Sequence, residues 1–219
     1  MKKYRNENII ESVEKVANKI LGEKKSNKFR DHFFPRLCDE MDFSFAAEIG
    51  VDKGGFSNHM LNRSKLKRLY CIDPWIDNFG SGVGKSKGEY DPDGNIRMKQ
   101  CEDTLRKHLD DDRAEMIKAY STEVSPEMPD GTLDFVYIDG DHSLEGIFND
   151  IYAWTPKVRV GGVVAGHDYK DDPNSGMKDY WGDQLPYHVK TVVDYYGARY
   201  GYKIHSVGGR ILSWWFVKA

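Results

Sequence analysis

Apolar residues recur along the chain in seven short runs, and segments with helical spacing separate most of these runs. The runs predict strands at residues 43–49, 69–72, 114–119, 133–138, 162–165, 202–207 and 211–217. The helical spacing predicts helices at residues 55–64, 96–109, 144–154 and 186–199. Strands that alternate with helices form right-handed crossovers, so we predict an α/β fold with a seven-stranded, mostly parallel sheet and helices on both faces.

Two glycines, Gly208 and Gly209, lie between the last two apolar runs. A short glycine turn between two strands is typical of a hairpin. We therefore expect one terminal strand of the sheet to run antiparallel to the others.

Two helices are predicted before the first strand. Residues 7–21 place apolar side chains at helical spacing, and Gly22 follows them as a helix stop. A second, short helix has four apolar positions: Phe29, Phe33, Phe34 and Leu37. We predict an N-terminal helical extension over residues 1–42 and an α/β domain over residues 43–219. If the protein forms a homo-oligomer, we expect the contact at this extension or at the last strands.

Composition narrows the class of partner. The 219 residues are 39% hydrophobic and 31% charged, as in globular proteins, and the formal net charge is −3. A weakly acidic chain has no overall attraction for nucleic acid or for an anionic membrane, so we expect a small-molecule partner. Three cysteines at irregular spacing indicate neither a disulfide framework nor a zinc ribbon. Because the first residues are polar and no apolar run reaches bilayer length, we predict a cytoplasmic protein.

A glycine-rich segment, residues 48–55 (EIGVDKGG), lies where the first predicted strand turns into a helix. Glycines there allow positive φ and close approach of the backbone to a ligand, and the following helix offers free N–H groups. The spacing E-x-G-x-x-x-G is neither G-x-G-x-x-G nor a phosphate-binding P-loop. Taken alone, the segment fits a glycine turn without a ligand equally well.

A carboxylate, Asp73, ends the second predicted strand, a little over twenty residues beyond Gly50. In a doubly wound sheet this position lies beside the glycine loop, where an acid can accept both hydroxyls of a ribose. The alternative is that Asp73 is a turn residue before Pro74.

Two more polar segments follow the fourth and fifth predicted strands: residues 137–142 (YIDGDH) and residues 161–169 (GGVVAGHDY). All four segments fall at carboxyl ends of strands, where open α/β sheets bind ligands. Their order and spacing resemble class I S-adenosylmethionine-dependent methyltransferases, and the resemblance runs from about residue 43 to the C-terminus. It implies a Rossmann-like fold and S-adenosylmethionine as the cofactor.

The resemblance assigns cofactor contacts to particular residues. Glu48 and Gly50 would line the methionine part and the turn, and Asp73 would hold the ribose. Asp141 would face the amino group of the methionine moiety.

Two further residues would contact the adenine according to the same resemblance. Trp75 would pack near the ring, and Ser121, just after the third predicted strand, would contact its edge. A loop-anchoring tryptophan and a plain turn serine are the alternatives.

The layout after the fourth and fifth strands resembles the metal-dependent branch of this family, and most closely the macrocin-type sugar O-methyltransferases. The resemblance implies a metal site at Asp139, His167 and Asp168. In that group the pair after the fifth strand is acidic, whereas here it contains a histidine. Oxygen ligands alone would favour magnesium, and an imidazole suits manganese, iron or zinc. The alternative is an Asp–His hydrogen-bond network that positions the substrate without a metal.

A histidine three residues after Asp139 gives the spacing D-x-x-H. In the macrocin-type resemblance this residue, His142, is placed to take the proton from the acceptor hydroxyl, and imidazole titrates near neutrality. A helix-capping histidine is the alternative, although Ser143 is the better cap. His167 is the competing base if no metal binds.

The expected reaction moves a methyl group from the sulfonium of S-adenosylmethionine to a hydroxyl of a sugar or another small-molecule acceptor. One alternative is a nucleotide (NAD)-dependent oxidoreductase, which suits Asp73 but neither the glycine spacing nor residues 139–142. The other is a non-catalytic S-adenosylmethionine-binding module, which would not need the acid and histidine side chains described above.

Two long polar segments, residues 74–95 and 170–184, leave the same edge of the predicted sheet. We predict that they form a lid that excludes water from the cofactor and acceptor. The alternative is a structureless insertion in the first segment and core packing of the aromatic residues in the second.

Overall fold

The computed structural model of the protein describes residues 8–23, 29–76, 95–173 and 186–219. The strands are β1 (Phe45–Ile49), β2 (Arg68–Asp73), β3 (Ala114–Lys118), β4 (Leu133–Ile138), β5 (Val158–Gly166), β6 (Asp171–Asp172), β7 (Tyr187–His188), β8 (His205–Gly208) and β9 (Leu212–Val217). Seven of them form one sheet in the order β3-β2-β1-β4-β5-β9-β8, and β9 runs antiparallel to both of its neighbours. The predicted α/β fold, with a mostly parallel sheet and one antiparallel strand, is confirmed.

Helices lie between the strands in the predicted order. They are α1 (Ile9–Glu23), α2 (Arg30–Glu40), α3 (Gly55–Arg63), α4 (Asn95–Asp110), α5 (Ser121–Val124), α6 (Leu144–Trp154) and α7 (Val189–Tyr200). The short helix α5 and the 3-10 turn at Ser125–Glu127 that follows it are not predicted from the sequence. Helices this short bury too few apolar positions to show a helical period.

The sheet is covered by helices on both faces. Helices α1 to α4 share one buried cluster with the sheet, and α6 and α7 share another with its opposite face. In β4, Phe135 and Tyr137 belong to the first cluster, whereas Val136 and Ile138 belong to the second. Neighbouring residues of a strand point to opposite faces, so the continuous apolar run of β4 reflects burial on both sides.

Strand β5 is longer than predicted, because it begins at Val158 rather than at Gly162. Within it, Gly161 has a φ of +78°. The pairing of β4 with β5 also shifts register between Leu133 and Phe135. The two glycines therefore mark an irregularity inside the strand and not its start.

The segment 170–184 is not structureless throughout, which corrects the predicted loop. Strand β6 lies inside it and pairs antiparallel with β7, so that α7 begins at Val189 rather than at residue 186. Asp171 of β6 also accepts hydrogen bonds from the N–H (3.0 Å) and hydroxyl (2.9 Å) of Thr191 in the first turn of α7. Residues 77–94 and 174–185 lie outside the described residues, so the lid stays a prediction.

The N-terminal helices pack into the core of the sheet. Phe33 and Phe34 of α2 are fully buried. The ring of Phe34 lies 5.5 Å from each of the rings of Phe135 and Tyr137 in β4. The helices of the predicted extension therefore share a core with the predicted domain, and the boundary between residues 1–42 and 43–219 stays a prediction.

The three cysteines are free and buried. Among the helices of the described ranges, none is both long enough and apolar enough to cross a bilayer.

Candidate active site at the carboxyl edge of the sheet

The loop between β1 and α3 passes directly against the end of β4. Gly50 has a φ of +82°, and a Cβ at this position would lie 2.3 Å from the backbone oxygen of Asp139. The N–H of Asp139 also donates to the carbonyl of Ile49 over 2.7 Å. Only glycine accommodates both the positive φ and this approach. The predicted cofactor turn and the first predicted metal ligand are therefore in direct contact.

Asp73 ends β2 and holds the glycine loop. Its Oδ2 accepts hydrogen bonds from the N–H groups of Val51 (2.8 Å) and Asp52 (2.9 Å). Its Oδ1 accepts one from the N–H of Trp75 (2.6 Å). A carboxylate oxygen has two lone pairs, so Oδ2 is fully used by the loop and Oδ1 keeps one lone pair for a ribose hydroxyl. Asp73 lies beside the glycine loop as expected, and its ribose contact stays a prediction.

Trp75 anchors the chain just after β2. Its side chain is fully buried, and its Nε1 donates to the carbonyl of Asp52 over 2.7 Å. The indole exposes no face on which an adenine ring could stack. The structure therefore shows Trp75 as a loop anchor, which was the alternative to adenine packing. Packing of Trp75 on an adenine would require its side chain to move.

A cleft of about 250 Å³ opens between the ends of β2 and β3. It is lined by Pro74, Ile76, Lys118, Ala119, Tyr120 and Glu123. Ser121 lies between the lining residues Tyr120 and Glu123, but its hydroxyl donates a hydrogen bond to Asp150 of α6. Burial raises the pKa of Asp150 to about 6, although this hydrogen bond opposes the rise. The predicted contact of Ser121 with the adenine edge stays a prediction.

Glu48 is buried under the glycine loop. It is 2% exposed and accepts a hydrogen bond from the hydroxyl of Ser57 in α3. Burial raises the pKa of Glu48 to about 8 against the effect of this hydrogen bond, and the negative charge of Asp139 adds to the rise. The carboxyl group is therefore mostly neutral at pH 7. Its predicted contact with the methionine part of the cofactor stays a prediction.

Asp141 lies at the start of α6. Its two oxygens accept hydrogen bonds from the N–H and the hydroxyl of Ser143, each over 2.9 Å. Ser143 in turn accepts from the N–H of Gly146 (3.1 Å) and is the N-cap of α6. The alternative of His142 as the cap is therefore wrong. The contact of Asp141 with a cofactor amino group stays a prediction.

Four side chains converge where β4 and β5 end. The Nε2 of His142 lies 3.1 Å from Oδ2 of Asp168 and 3.5 Å from Oδ1 of Asp139. The Nδ1 of His167 lies 3.4 Å from the same Asp139 oxygen and 3.5 Å from the same Asp168 oxygen. Each imidazole therefore lies against both carboxylates. We call these four residues the acid–histidine cluster.

The acid–histidine cluster stabilises its own charges. Burial disfavours an imidazolium, but hydrogen bonds to Asp139 and Asp168 outweigh it and raise the pKa of His142 to about 9 and that of His167 to about 8. Burial likewise opposes the two carboxylates, yet the histidines hold the pKa values of Asp139 and Asp168 well below their usual range. Both imidazoles therefore hold a proton at pH 7 beside two negative charges, and an imidazole of the cluster is free to accept a proton above about pH 8, where His167 becomes neutral.

The geometry adds His142 to the candidate metal ligands. Asp139, His142 and Asp168 offer ligand atoms that all lie within 4.8 Å of one another. The sequence predicts His167 as the imidazole of this set, because it directly precedes Asp168. The short bend between β4 and α6 brings His142 back onto both acids, so His142 becomes a second candidate for that place. The predicted set with His167, which lies against the same two oxygens, stays a prediction.

Tyr187 of β7 is a neighbour of the cluster that the sequence does not indicate. Its ring stacks on the imidazole of His142, with 4.7 Å between centroids and 16° between planes. The N–H of His188 also donates to the carbonyl of His142 over 3.0 Å. The sequence pattern places both residues in a helix, so it contains no signal for these contacts.

Arg30 of α2 is the second residue missed from the sequence. Its Nη1 donates to Oδ2 of Asp139 (3.0 Å) and to the hydroxyl of Tyr137 (3.1 Å). Because 109 residues separate Arg30 from Asp139 along the chain, no local spacing could reveal the pair.

Comparison with known proteins identifies the family. A family model described as a methyltransferase domain matches residues 47–169, more than half of the chain. The chain belongs to this methyltransferase family. The predicted membership is thereby confirmed, and the comparisons do not favour the NAD-dependent alternative.

Individual relatives of this methyltransferase are distant in sequence. The uncharacterized protein R132 of Acanthamoeba polyphaga mimivirus is 27% identical over 186 residues, which are 81% of this chain and 73% of that protein. An O-methyltransferase from Bacillus cereus, solved in complex with SAH, is 13% identical with a TM-score of 0.58, covering 99% of this chain and 93% of its own. A Staphylococcus aureus protein provisionally described as a caffeoyl-CoA O-methyltransferase is 13% identical with a TM-score of 0.61, covering 95% and 91%. At these identities the two structures show the shared fold.

Proposed function

We propose that this methyltransferase transfers the methyl group of S-adenosylmethionine to a hydroxyl of a sugar or another small-molecule acceptor. The observation that carries the proposal is the contact between the glycine turn at Gly50 and the acid–histidine cluster at Asp139. A cofactor seated on the turn would present its sulfonium next to groups that can accept a proton. The O-methyltransferase from Bacillus cereus, which has the same fold and was solved with SAH, adds support.

The cofactor end of the proposed site is built by backbone and one carboxylate. Gly50 lets the loop pass against the backbone of Asp139, and Oδ1 of Asp73 has one lone pair available at the edge of the glycine loop. The cleft between β2 and β3 is the space in which the adenine would lie. Glu48 is bonded to Ser57, Ser121 to Asp150 and Asp141 to Ser143. Direct contacts of these three residues with the cofactor belong to the proposal.

At the acceptor end, the acid–histidine cluster would align the hydroxyl and take its proton onto an imidazole that is in its neutral form, which His167 reaches above about pH 8. His142 and His167 each lie within 3.5 Å of both carboxylates, which would stabilise the imidazolium that forms. Alignment and exclusion of water are the main sources of rate in a methyl transfer of this kind.

The donor set also fits a divalent cation. Two carboxylates and an imidazole within 4.8 Å of one another suit manganese, iron or zinc better than magnesium. Asp139, His142 and Asp168 would hold the ion, and His167 would remain as the base. A bound cation would lower the proton affinity of the acceptor hydroxyl.

Calorimetry with S-adenosylhomocysteine and with NAD tests the proposed cofactor. We expect S-adenosylhomocysteine to bind and NAD not to bind. Replacing Asp73 with alanine should weaken S-adenosylhomocysteine binding by about 1.5–3 kcal/mol, because a charged hydrogen bond to the ribose is lost together with the contacts that hold the glycine loop.

The matched control for Asp73→Ala is Asp112→Ala, which removes an exposed carboxylate paired with Arg68 at the other end of β2. It should bind S-adenosylhomocysteine like the parent. Equal affinity of Asp73→Ala and the parent would refute the ribose assignment, and binding of NAD alone would refute the proposed function.

A further inference from the structure

Arg30 lies outside the segment that the family model matches, yet it reaches into the acid–histidine cluster. It is the first residue of α2, and its Nη1 bridges Oδ2 of Asp139 and the hydroxyl of Tyr137. The N-terminal helices therefore contribute a cation to the candidate active site.

The guanidinium is held in this position from several sides. It lies 5.0 Å from the ring centroid of Phe56 and 5.7 Å from that of Tyr137, and its side chain is 28% exposed. Aromatic faces attract a cation at such distances. A guanidinium keeps its charge at any pH relevant to the protein. Arg30 is thus a fixed positive charge at the edge of the cluster.

This contact makes the two oxygens of Asp139 unequal. Oδ2 accepts from Arg30, whereas Oδ1 lies 3.5 Å from His142 and 3.4 Å from His167. A carboxylate that is pinned through one oxygen presents the other in a fixed direction. The same positive charge opposes any second cation that binds the carboxylate.

We propose that Arg30 is a positioning residue that directs Oδ1 of Asp139 into the cluster and lowers its affinity for a divalent cation. The inference rests on the proposed function, in which the cluster holds the acceptor and a cation. It assigns α2 to the acceptor end of the site, whereas the glycine loop and Asp73 form the cofactor end.

Manganese alone is the probe for this inference. Free Mn²⁺ is measured by electron paramagnetic resonance while the parent, Arg30→Gln and Arg30→Lys are titrated at one pH. We expect Arg30→Gln to bind Mn²⁺ about tenfold more tightly than the parent, because a nearby positive charge is removed. Arg30→Lys keeps the charge and should stay within about twofold of the parent. Asp168→Ala should lose Mn²⁺ binding, which locates the ion.

The matched control is Arg36→Gln, which removes a cation from the same helix. Arg36 pairs with Glu23 and Glu40 and so should leave Mn²⁺ affinity unchanged. If Arg30→Gln does not fold, Arg30→Met replaces it, since its aliphatic stem still packs against Phe56.

Equal, weaker or absent Mn²⁺ binding by the neutral Arg30 variants would overturn the inference. Binding of S-adenosylhomocysteine, measured on the same samples, should match the parent in every Arg30 variant. The side chains that Arg30 contacts are Asp139, Tyr137 and Phe56, whereas the proposed cofactor contacts are at Gly50 and Asp73. Failure of the parent to bind S-adenosylhomocysteine would count against the proposed function and not against the role of Arg30 in cation affinity.

Discussion

At the scale of single residues, Glu48 links the stability of the protein to pH. Its buried carboxyl has a pKa of about 8, against 4.5 for an ordinary glutamate. Between these values the folded chain keeps a proton that the unfolded chain releases. The stabilisation is therefore complete below about pH 4.5 and is lost as the pH rises through about 8.

Replacing Glu48 with glutamine should remove this pH dependence, because the amide is neutral throughout. Between pH 5.5 and 8.5 we expect the parent to lose on the order of 2–4 kcal/mol more unfolding free energy than Glu48→Gln. Urea denaturation at the two pH values measures the difference. Glu127→Gln, at an exposed carboxyl, serves as the control and should follow the parent. A parent-like pH slope in Glu48→Gln would show that Glu48 is charged when folded.

The site residues whose positions could be predicted from the sequence are those that lie at the carboxyl ends of strands. Gly50 and Asp73 directly follow or end recognisable apolar runs, so the sheet fixes where they meet. The roles of Arg30 and Tyr187 depend on contacts between distant segments. Neither hydrophobic periodicity nor residue spacing indicates that Arg30 of α2 contacts the residue after β4, or that the ring of Tyr187 in the two-residue strand β7 stacks on His142.

At the scale of elements, the loop between β1 and α3 depends on one glycine. Gly50→Ala would place a Cβ 2.3 Å from the Asp139 carbonyl at a φ of +82°, so backbone must shift. We expect a loss of about 3–5 kcal/mol of unfolding free energy and weaker S-adenosylhomocysteine binding. Urea denaturation and calorimetry measure the two effects.

Gly55→Ala is the control for this prediction, because nothing lies within 4 Å of a Cβ at the first residue of α3. It should change stability by no more than about 1 kcal/mol, in the stabilising direction, since alanine is the better helix former. If the two alanine variants were equally stable, the close approach of the loop to β4 would be wrong.

Elements were predictable in proportion to the apolar surface that they bury. The bounds of β4 and α6 agree with the sequence pattern, because each buries a well-defined apolar set. Strands β6 and β7 contain two residues each, and three of the four are Asp or His. The side chain of Asp171 also accepts hydrogen bonds from Thr191 in the first turn of α7, a contact that hydrophobic patterning does not encode.

At the scale of the whole molecule, the question is whether residues 1–42 fold as a unit separate from residues 43–219. Helices α1 and α2 bury their apolar side chains in the cluster that α3, α4 and one face of the sheet also share. A separate unit would have its own core. We therefore expect one cooperative unfolding transition that includes the N-terminal helices.

Phe34→Ala tests this expectation, because all five tryptophans lie in the predicted domain, after residue 42, and Trp215 there packs against Phe33 of α2. Phe34 is fully buried between α2 and β4, so its truncation should cost about 3–5 kcal/mol. If the molecule unfolds as one unit, tryptophan fluorescence and circular dichroism will show the same lowered urea midpoint. Tyr195→Ala, at a side chain 55% exposed on α7, should stay within about 0.5 kcal/mol of the parent. The opposite result would be an unchanged fluorescence midpoint in Phe34→Ala together with an early loss of the helical circular dichroism signal. The N-terminal helices would then unfold independently, and Arg30 could leave Asp139 while the sheet stays folded.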